Sequence, residues 1–231
     1  MTQHRHPSSR RKPEEKKEAE DIFVEKILGL IDWGKAHSQA LVLVGIVAVV
    51  ILAGAWYYRN YRITLKQQAI AELEQVQQSV GYGDREAAKT GLYQYLDRFE
   101  GTPYAMEARL VLGQVLMEDG EVAEAAEVLG PAVQAMADQP VGLQAAFLLA
   151  AAYEQEGRLE EADRLFIRIS EVAEMGFQIR EALAGAARIR TQNGDFSGAA
   201  DLYRDVLATL EDGDPERDVW EMRLAEVAFR G

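Results

Sequence analysis

The stretch GRLEEADRLF, residues 157–166, decides the fold because its spacing of Gly, Ala and a bulky apolar residue occurs four times in the chain. Within it, Gly157 is followed after five residues by Ala162 and after nine residues by Phe166. Shifts of 37 residues find the same frame in three further places: Gly83, Ala88 and Leu92; Gly120, Ala125 and Leu129; Gly194, Ala199 and Tyr203. Glycine makes up only 19 of 231 residues, so chance does not explain this recurrence. A fixed period of roughly 20 to 50 residues indicates stacked structural repeats.

Each frame predicts two helices joined by a tight turn at its glycine. Amphipathic segments lie on both sides of the glycine, where a positive φ costs nothing. The alanine allows the two helices to approach closely, and the bulky residue one turn later fills the space toward the next hairpin. Pro103, Pro140 and Pro215 are expected to mark the starts of following helices, with Thr102 and Asp214 as N-caps. The last segment, ERDVWEMRLAEVAF, is predicted to be a capping helix.

This pattern resembles the tetratricopeptide repeat. The residues that carry the resemblance are Leu112-Gly113, Leu116, Gly120, Ala125, Leu129 and Ala132; Leu149-Ala150, Tyr153, Gly157, Ala162 and Phe166; and, more loosely, Ala187, Gly194, Ala199 and Tyr203. The resemblance implies an all-α fold, a tetratricopeptide-like solenoid of about four helical hairpins plus a capping helix. The solenoid would occupy residues 61–231.

A second feature is the run ALVLVGIVAVVILAGAWYY, residues 40–58, which has no charged side chain. As a helix it would be about 28 Å long, close to the thickness of a bilayer core. Trp56, Tyr57 and Tyr58 end it with aromatic rings that favour a membrane interface. We therefore predict one transmembrane helix at residues 38–60. A buried core helix and a signal peptide cleaved near Ala53-Gly54-Ala55 are the alternatives.

The residues before this run are predicted to form two further segments. Residues 1–18 are polar and read as a disordered tail. Residues 19–37 place Phe23, Ile27, Leu30 and Ile31 on one helical face, which indicates an amphipathic helix at the membrane surface. A helix packed on a partner protein fits the same pattern.

The charge distribution gives an orientation. Residues 1–39 carry eight Lys and Arg residues, so the positive-inside rule places the N-terminus in the cytoplasm and the C-terminal domain in the periplasm. Within about 20 residues of the span, however, two basic residues precede it and three follow it, so this narrower count does not give an orientation.

The whole layout resembles the bacterial ancillary SecYEG translocon subunit family: a basic tail, an amphipathic segment, one span ending in aromatic residues, and divergent repeats. The resemblance implies an inner-membrane protein whose repeat domain faces the periplasm beside the translocon. It also implies partners among translocon subunits, chaperones and exported polypeptides.

Composition excludes several other functions. The net charge of −13 argues against nucleic-acid binding. There is no cysteine, and the three histidines, His4, His6 and His37, all precede the repeats, so a Ser-His-Asp or Cys-His catalytic site in the repeats is impossible. We expect no enzyme activity, no cofactor, no metal and no small-molecule substrate.

The remaining candidate is a protein-binding groove lined by the first helices of the hairpins. The residues predicted to line it are Leu73, Gln77, Leu110, Gln114, Met117, Gln144, Phe147, Glu154, Arg188 and Gln192. Apolar and amide side chains in this mixture suit an extended or helical segment with apolar anchors. Cover of Leu110 and Phe147 by neighbouring helices is the alternative. The sequence thus predicts a membrane-anchored scaffold that binds polypeptides in export, or else a structural subunit held in a membrane complex by its span and amphipathic helix.

Overall fold

The computed structural model describes residues 26, 28–29, 31, 33–81 and 83–231. Contacts divide the chain into two compact units, Met1–Arg62 and Ile63–Gly231. No β-strand occurs in the described residues, and the second unit is helical throughout apart from its turns. The prediction of an all-α fold is therefore confirmed for this part of the chain.

The first unit contains the apolar half of helix α1, which spans Ser38–Gly81. Its apolar half includes an 18-residue window of mean hydropathy 2.5, none of which is buried. By length and composition α1 can therefore cross a membrane. Of the predicted amphipathic face, Phe23, Ile27 and Leu30 lie outside the described residues, as does the whole tail 1–18.

The second unit begins within α1 and continues with eight helices of defined bounds in the described residues. These are α2 (Arg85–Phe99), α3 (Ala105–Asp119), α4 (Val122–Val133), α5 (Pro140–Gln155), α6 (Leu159–Val172), α7 (Gly176–Gln192), α8 (Phe196–Ala208) and α9 (Arg217–Arg230). From α2 to α9 each helix packs on the next, and α3 also packs on α5. The apolar side chains form two buried clusters, one around Leu112 and a larger one around Phe166.

The four glycines of the repeat frame adopt the predicted conformation. Gly83, Gly120, Gly157 and Gly194 have φ values of 79°, 79°, 74° and 78°. At the three later turns the residue after the glycine donates its backbone N–H to a carbonyl five residues before it, as Glu121 does to Leu116 at 2.8 Å. This closes the preceding helix in the Schellman manner.

The alanines and bulky residues of the frame are buried. Ala88, Ala125, Ala162 and Ala199 are fully inaccessible, as expected for small side chains between packed helices. Two bulky residues reach the next hairpin as predicted: Phe166 packs over Gly185 of α7, and the ring of Tyr203 lies 6.3 Å from that of Trp220 in α9. Leu129 differs, because it packs over Gly113 of its own hairpin.

The predicted helix starts are correct in part. Pro140 is the first residue of α5, whereas Pro103 and Pro215 lie in the turns two residues before α3 and α9. Thr102 and Asp214 are not N-caps of those helices, whose N-caps are Tyr104 and Glu216. Both side chains stabilise the preceding turns instead. Thr102 Oγ1 donates to the carbonyl of Phe99 at 2.8 Å, and Asp214 Oδ1 accepts from the N–H of Glu216 at 2.9 Å.

One buried charge ties α2 to the turn of the following hairpin. Lys89 is 9% exposed, and its Nζ lies 2.6 Å from a carboxylate oxygen of Glu86 and 3.0 Å from one each of Asp119 and Glu121. Hydrogen bonds to these carboxylates raise the pKa of Lys89 above its usual range. Because Asp119 and Glu121 flank Gly120, the ammonium group holds the second hairpin turn against α2.

Candidate functional site

The predicted groove residues come from helices that adjoin one another. They lie on α1, α3, α5 and α7, the first helices of the four hairpins, and we call this surface the first-helix face. Gln77 of α1 donates to Glu107 of α3 at 3.0 Å, and Arg188 of α7 reaches Glu154 of α5. The structure therefore brings the predicted residues onto neighbouring helices.

Three of the predicted residues form one polar cluster. Arg188 donates from Nε and Nη2 to the two carboxylate oxygens of Glu154, at 2.9 and 2.6 Å. Gln192 donates to the same carboxylate at 2.9 Å. The hydrogen bonds from Arg188 lower the pKa of Glu154, and the carboxylate in turn raises the pKa of the guanidinium. The cluster is thus a paired, hydrogen-bonded clamp between α5 and α7.

Phe147, seven residues before Glu154 on α5, is half-buried. Its ring centroid is 6.5 Å from that of Phe166, a distance at which tilted aromatic rings attract one another. The guanidinium carbon of Arg188 lies 5.9 Å from the centroid of the Phe166 ring. Phe147 therefore keeps part of its ring available on the first-helix face while the rest belongs to the core.

The other predicted residues differ in their access. Leu73 and Leu110 are only 4% and 7% exposed, so both belong to the core. For Leu110 this is the alternative outcome, in which neighbouring helices cover the side chain. Met117 is half-buried and packs against both apolar clusters. Gln114 and Gln144 are exposed. A partner on this face would contact Phe147, Met117 and the amide side chains of Gln114 and Gln144. The role of this face in binding stays a prediction.

Sequence reasoning missed two exposed apolar side chains at the start of α7. Met175 is 57% exposed and Phe177 is 55% exposed, on either side of Gly176. Phe177 also lines a cleft of about 410 Å³ between α7 and α9. The sequence does contain a signal for them. Two large apolar residues flank a glycine in a connection where polar residues are usual.

Trp220 of α9 lines the same cleft. It is half-buried, and its indole Nε1 is buried without an acceptor among the described residues. Arg180 of α7 lines the cleft as well and is paired with Glu216 at 3.1 Å. The first-helix face thus continues onto the capping helix, and its arginines there are paired within the domain.

The chemistry of the face is that of a contact surface. Its arginines Arg188 and Arg180 are paired with Glu154 and Glu216, and no group of three or more His, Asp or Glu side chains that could hold a metal ion occurs in the part of the chain that is described.

Comparison with known families agrees with the repeat geometry. A profile described as the tetratricopeptide repeat-like domain matches residues 32–229. The chain belongs to this family. Tetratricopeptide repeat-like domains are typically non-catalytic scaffolds that bind other proteins, and the match indicates no enzyme family. The predicted role in protein–protein interaction is confirmed at this level.

Several solved structures share the fold. A putative kinesin light chain with nearly identical repeats from Podosopora anserina is 22% identical, with a TM-score of 0.56 over 71% of this chain and 86% of that one. A tetratricopeptide repeat protein from Parabacteroides merdae is 17% identical, with a TM-score of 0.58 over 71% of this chain and 61% of that one. The MamA protein is 15% identical, with a TM-score of 0.51 over 70% and 91%. At these identities the likeness concerns the fold alone. No curated protein matches the chain significantly.

Proposed function

We propose that this protein is a scaffold anchored in a bacterial inner membrane by α1, whose tetratricopeptide repeat-like domain holds polypeptides in the periplasm during export. The observation that carries the anchor is the exposed apolar half of α1. Val42, Val49 and Leu52 are 61%, 64% and 69% exposed, like their neighbours along this half. Moving one such side chain from water into lipid is favourable by roughly 1.5 to 3 kcal/mol, so the whole run stabilises insertion strongly.

The end of the run supports the same anchor. Trp56 and Tyr57 are 70% exposed, Tyr58 is 63% exposed, and Arg59 follows them. Aromatic rings at one end of an apolar helix, followed by a basic residue, are typical of the boundary between lipid and water. This boundary would end the membrane-spanning part near residue 60.

The anchor is tested by fractionation with a charged variant. Val47→Arg combined with Val50→Arg places two charges at the centre of the span, each costing about 2.5 to 3.5 kcal/mol on insertion. We expect the unmodified chain to stay in the membrane pellet after alkaline carbonate extraction and the double variant to be released. Val219→Arg, at an exposed site of α9, is the control and should stay in the pellet. Release of the unmodified chain would overturn the proposal.

The orientation rests on the basic tail and has its own test. Because the chain has no cysteine, single cysteines at Ser9 and at Glu160 can report each side of the membrane. In intact spheroplasts, a membrane-impermeant maleimide should label the Glu160→Cys variant and leave the Ser9→Cys variant unlabelled. The opposite pattern would place the repeats in the cytoplasm.

The place beside the Sec translocon is proposed from the layout of the chain. Its support is the order of basic tail, single span and divergent repeats. A photo-crosslinking residue at Gln144, which is exposed next to Phe147, should capture exported chains in cells. Phe147→Asp and Met117→Asp should each reduce this capture several-fold, because both remove apolar contact area. Unchanged capture would contradict binding at the first-helix face.

One observation favours a second candidate, a structural subunit of a membrane complex. The Glu154, Arg188 and Gln192 side chains satisfy one another, which leaves less of the first-helix face for a ligand. Replacing residues 38–60 with an unrelated span separates the two functions. A scaffold would keep its crosslinks to exported chains, whereas a structural subunit would lose its complex.

A further inference from the structure

Two large apolar side chains are exposed to solvent where the α6–α7 connection meets α7. Met175 and Phe177 each leave more than half of their surface in water, at 57% and 55%. Both flank Gly176, where α7 begins. Neighbouring large apolar side chains on a soluble surface commonly mark a contact with another molecule.

A pocket opens directly beside Met175. It has a volume of about 150 Å³ and lies between the α4–α5 and α6–α7 connections. Met136 and Leu143, which are 4% and 7% exposed, and the half-buried Val172 form its apolar wall. A cavity of about 150 Å³ lined by such side chains can hold a benzene ring. The pocket therefore admits one leucine or phenylalanine side chain.

The approach to this pocket is acidic. Asp138 and Glu174 line it, and Glu181 lies in the cleft that Phe177 lines. All three carboxylates are exposed, and none forms an ion pair within the described chain. No Lys or Arg lines the pocket, and the nearby Arg180 is already paired with Glu216. The unpaired charge around the apolar pair is thus negative.

We propose that this surface docks a polypeptide segment in which a large apolar side chain is flanked by Lys or Arg. We call it the Met175 surface and define it by Met136, Asp138, Leu143, Glu174, Met175 and Phe177. The apolar side chain of the partner enters the pocket and covers Met175. The basic residues of the partner approach Asp138, Glu174 and, in the cleft that Phe177 lines, Glu181. Charge complementarity decides for this partner, because residues 59–231 carry 31 acidic against 17 basic side chains. The surface contains none of the ten predicted groove residues, and it adjoins the first-helix face only through Phe177, which lines one cleft with Arg188. It is therefore a second docking site beyond the proposed function.

A labelled peptide tests this surface on the full chain. The chain is reconstituted in nanodiscs of zwitterionic phosphatidylcholine, a neutral lipid that does not attract basic peptides by charge. The probe is the fluorescein-labelled peptide Gly-Lys-Lys-Phe-Lys-Lys-Gly, and the readout is fluorescence anisotropy corrected for empty nanodiscs. We expect saturable binding with a Kd on the order of 0.1 mM. Replacing all lysines of the peptide with Glu, or its Phe with Ser, should abolish saturation up to about 1 mM.

Variants of the protein locate the binding. Met175→Ser removes apolar contact, and Glu174→Lys reverses one charge, so each should raise the Kd about fivefold or more. The matched controls are Met222→Ser, which is 61% exposed on α9, and Glu127→Lys, an exposed site on α4. Both should leave the Kd unchanged. All four positions are on the surface, and circular dichroism verifies that each variant keeps its helices.

Three results would overturn the proposal. One is equal binding of the acidic peptide, and another is an unchanged Kd for the Met175→Ser variant. The third is a dimer in sedimentation experiments that Met175→Ser converts to a monomer, because a second copy would then cover the surface. Failure here leaves the test of the first-helix face untouched, since that test depends on the loss of crosslinks in Phe147→Asp and Met117→Asp, two residues outside the Met175 surface. The two proposals therefore fail independently.

Discussion

At the scale of single residues, two glycines show how closely the helices of this protein approach one another. A Cβ atom on Gly113 would lie 2.6 Å from Cδ2 of Leu129, and one on Gly185 would lie 2.7 Å from the ring of Phe166. Distances this short force a neighbour to move. The bulky residue of the repeat frame and the glycine opposite it are thus two parts of one contact.

Gly185→Ala should destabilise the domain. Overpacking a buried contact costs roughly 1 to 3 kcal/mol, which outweighs the gain of about 1 kcal/mol in helix propensity. Phe166→Leu alone should also destabilise, because it leaves a void. The double variant should lose less free energy of unfolding than the two single variants lose together. The difference, the coupling energy, should be at least about 0.5 kcal/mol. Denaturant unfolding of the full chain in mild detergent, followed by circular dichroism, measures all three.

The control for this cycle is Gly81→Ala. A Cβ atom at Gly81, the last residue of α1, would meet nothing within 4 Å. Its substitution should change the free energy of unfolding by less than about 0.5 kcal/mol. Additive losses in the cycle would show that Phe166 and Gly185 do not form the contact described.

At the scale of helices, the hairpins are joined by ion pairs as well as by apolar packing. The clamp of Glu154 and Arg188 connects α5 to α7, and the pair of Arg180 and Glu216 connects α7 to the start of α9. The buried Lys89 does the same between α2 and the next turn. These links fix how one first helix sits against the next, and with it the spacing of the side chains on the first-helix face.

The clamp predicts a pH dependence of stability. Arg188 lowers the pKa of folded Glu154 below the unfolded value of about 4.3, so the folded state binds the proton less readily. The stabilisation is therefore complete above that unfolded pKa and is lost as the pH falls through the folded pKa. At neutral pH the free energy of unfolding of the wild-type chain should exceed that of Glu154→Gln by about 1 kcal/mol or less. This difference should shrink as the pH falls into the acid range.

Unfolding curves of the two chains from neutral pH into acid measure this effect. Glu127→Gln, which removes an exposed carboxylate of α4, serves as the control and should show no such trend. A difference between the wild-type chain and Glu154→Gln that stays constant into acid would argue against the clamp.

At the scale of the whole repeat domain, stability depends on the contacts between adjacent helices. Consecutive helices pack on each other from α2 to α9, and such stacks behave as a sum of unit and interface terms. The last interface depends on α9, where Trp220 contacts Tyr203 and Val227 is 4% exposed. The capping helix therefore protects the fourth hairpin rather than the whole stack.

Trp220→Ala should loosen the C-terminal end selectively. We expect faster amide hydrogen exchange in α8 and α9 and unchanged exchange in α2 and α3, because local opening follows local contacts. Mass spectrometry of the exchanged full chain reads this helix by helix. A uniform increase along the domain would mean that it unfolds as one cooperative unit.

Local rules accounted for the features that repeat. The 37-residue frame correctly predicted a positive φ at four glycines and burial at four alanines, since these follow from short-range turn and helix geometry. The same rules gave a wrong role to Thr102, whose hydroxyl bonds back to Phe99. They also missed Gly213, which has a φ of 90° outside the frame.

Contacts between hairpins account for what was missed at the surface. The exposure of Met175 and Phe177 depends on where the α4–α5 and α6–α7 connections meet. Leu73 and Leu110 satisfied the spacing of surface residues but are covered by neighbouring helices. Spacing along one helix says which side chains share a face, and it does not say how much of that face the next hairpin covers.

The sequence by itself determined the helical repeats, their turns at glycine and an apolar helix long enough for a bilayer, because each follows from residues close together in the chain. The tertiary structure alone decided which side chains meet across hairpins: Glu154 with Arg188, Lys89 with the turn at Gly120, and Met136 with Met175 around one pocket. The physical reason is that such contacts join residues about 30 or more positions apart, and only the packing of complete helices sets their distances.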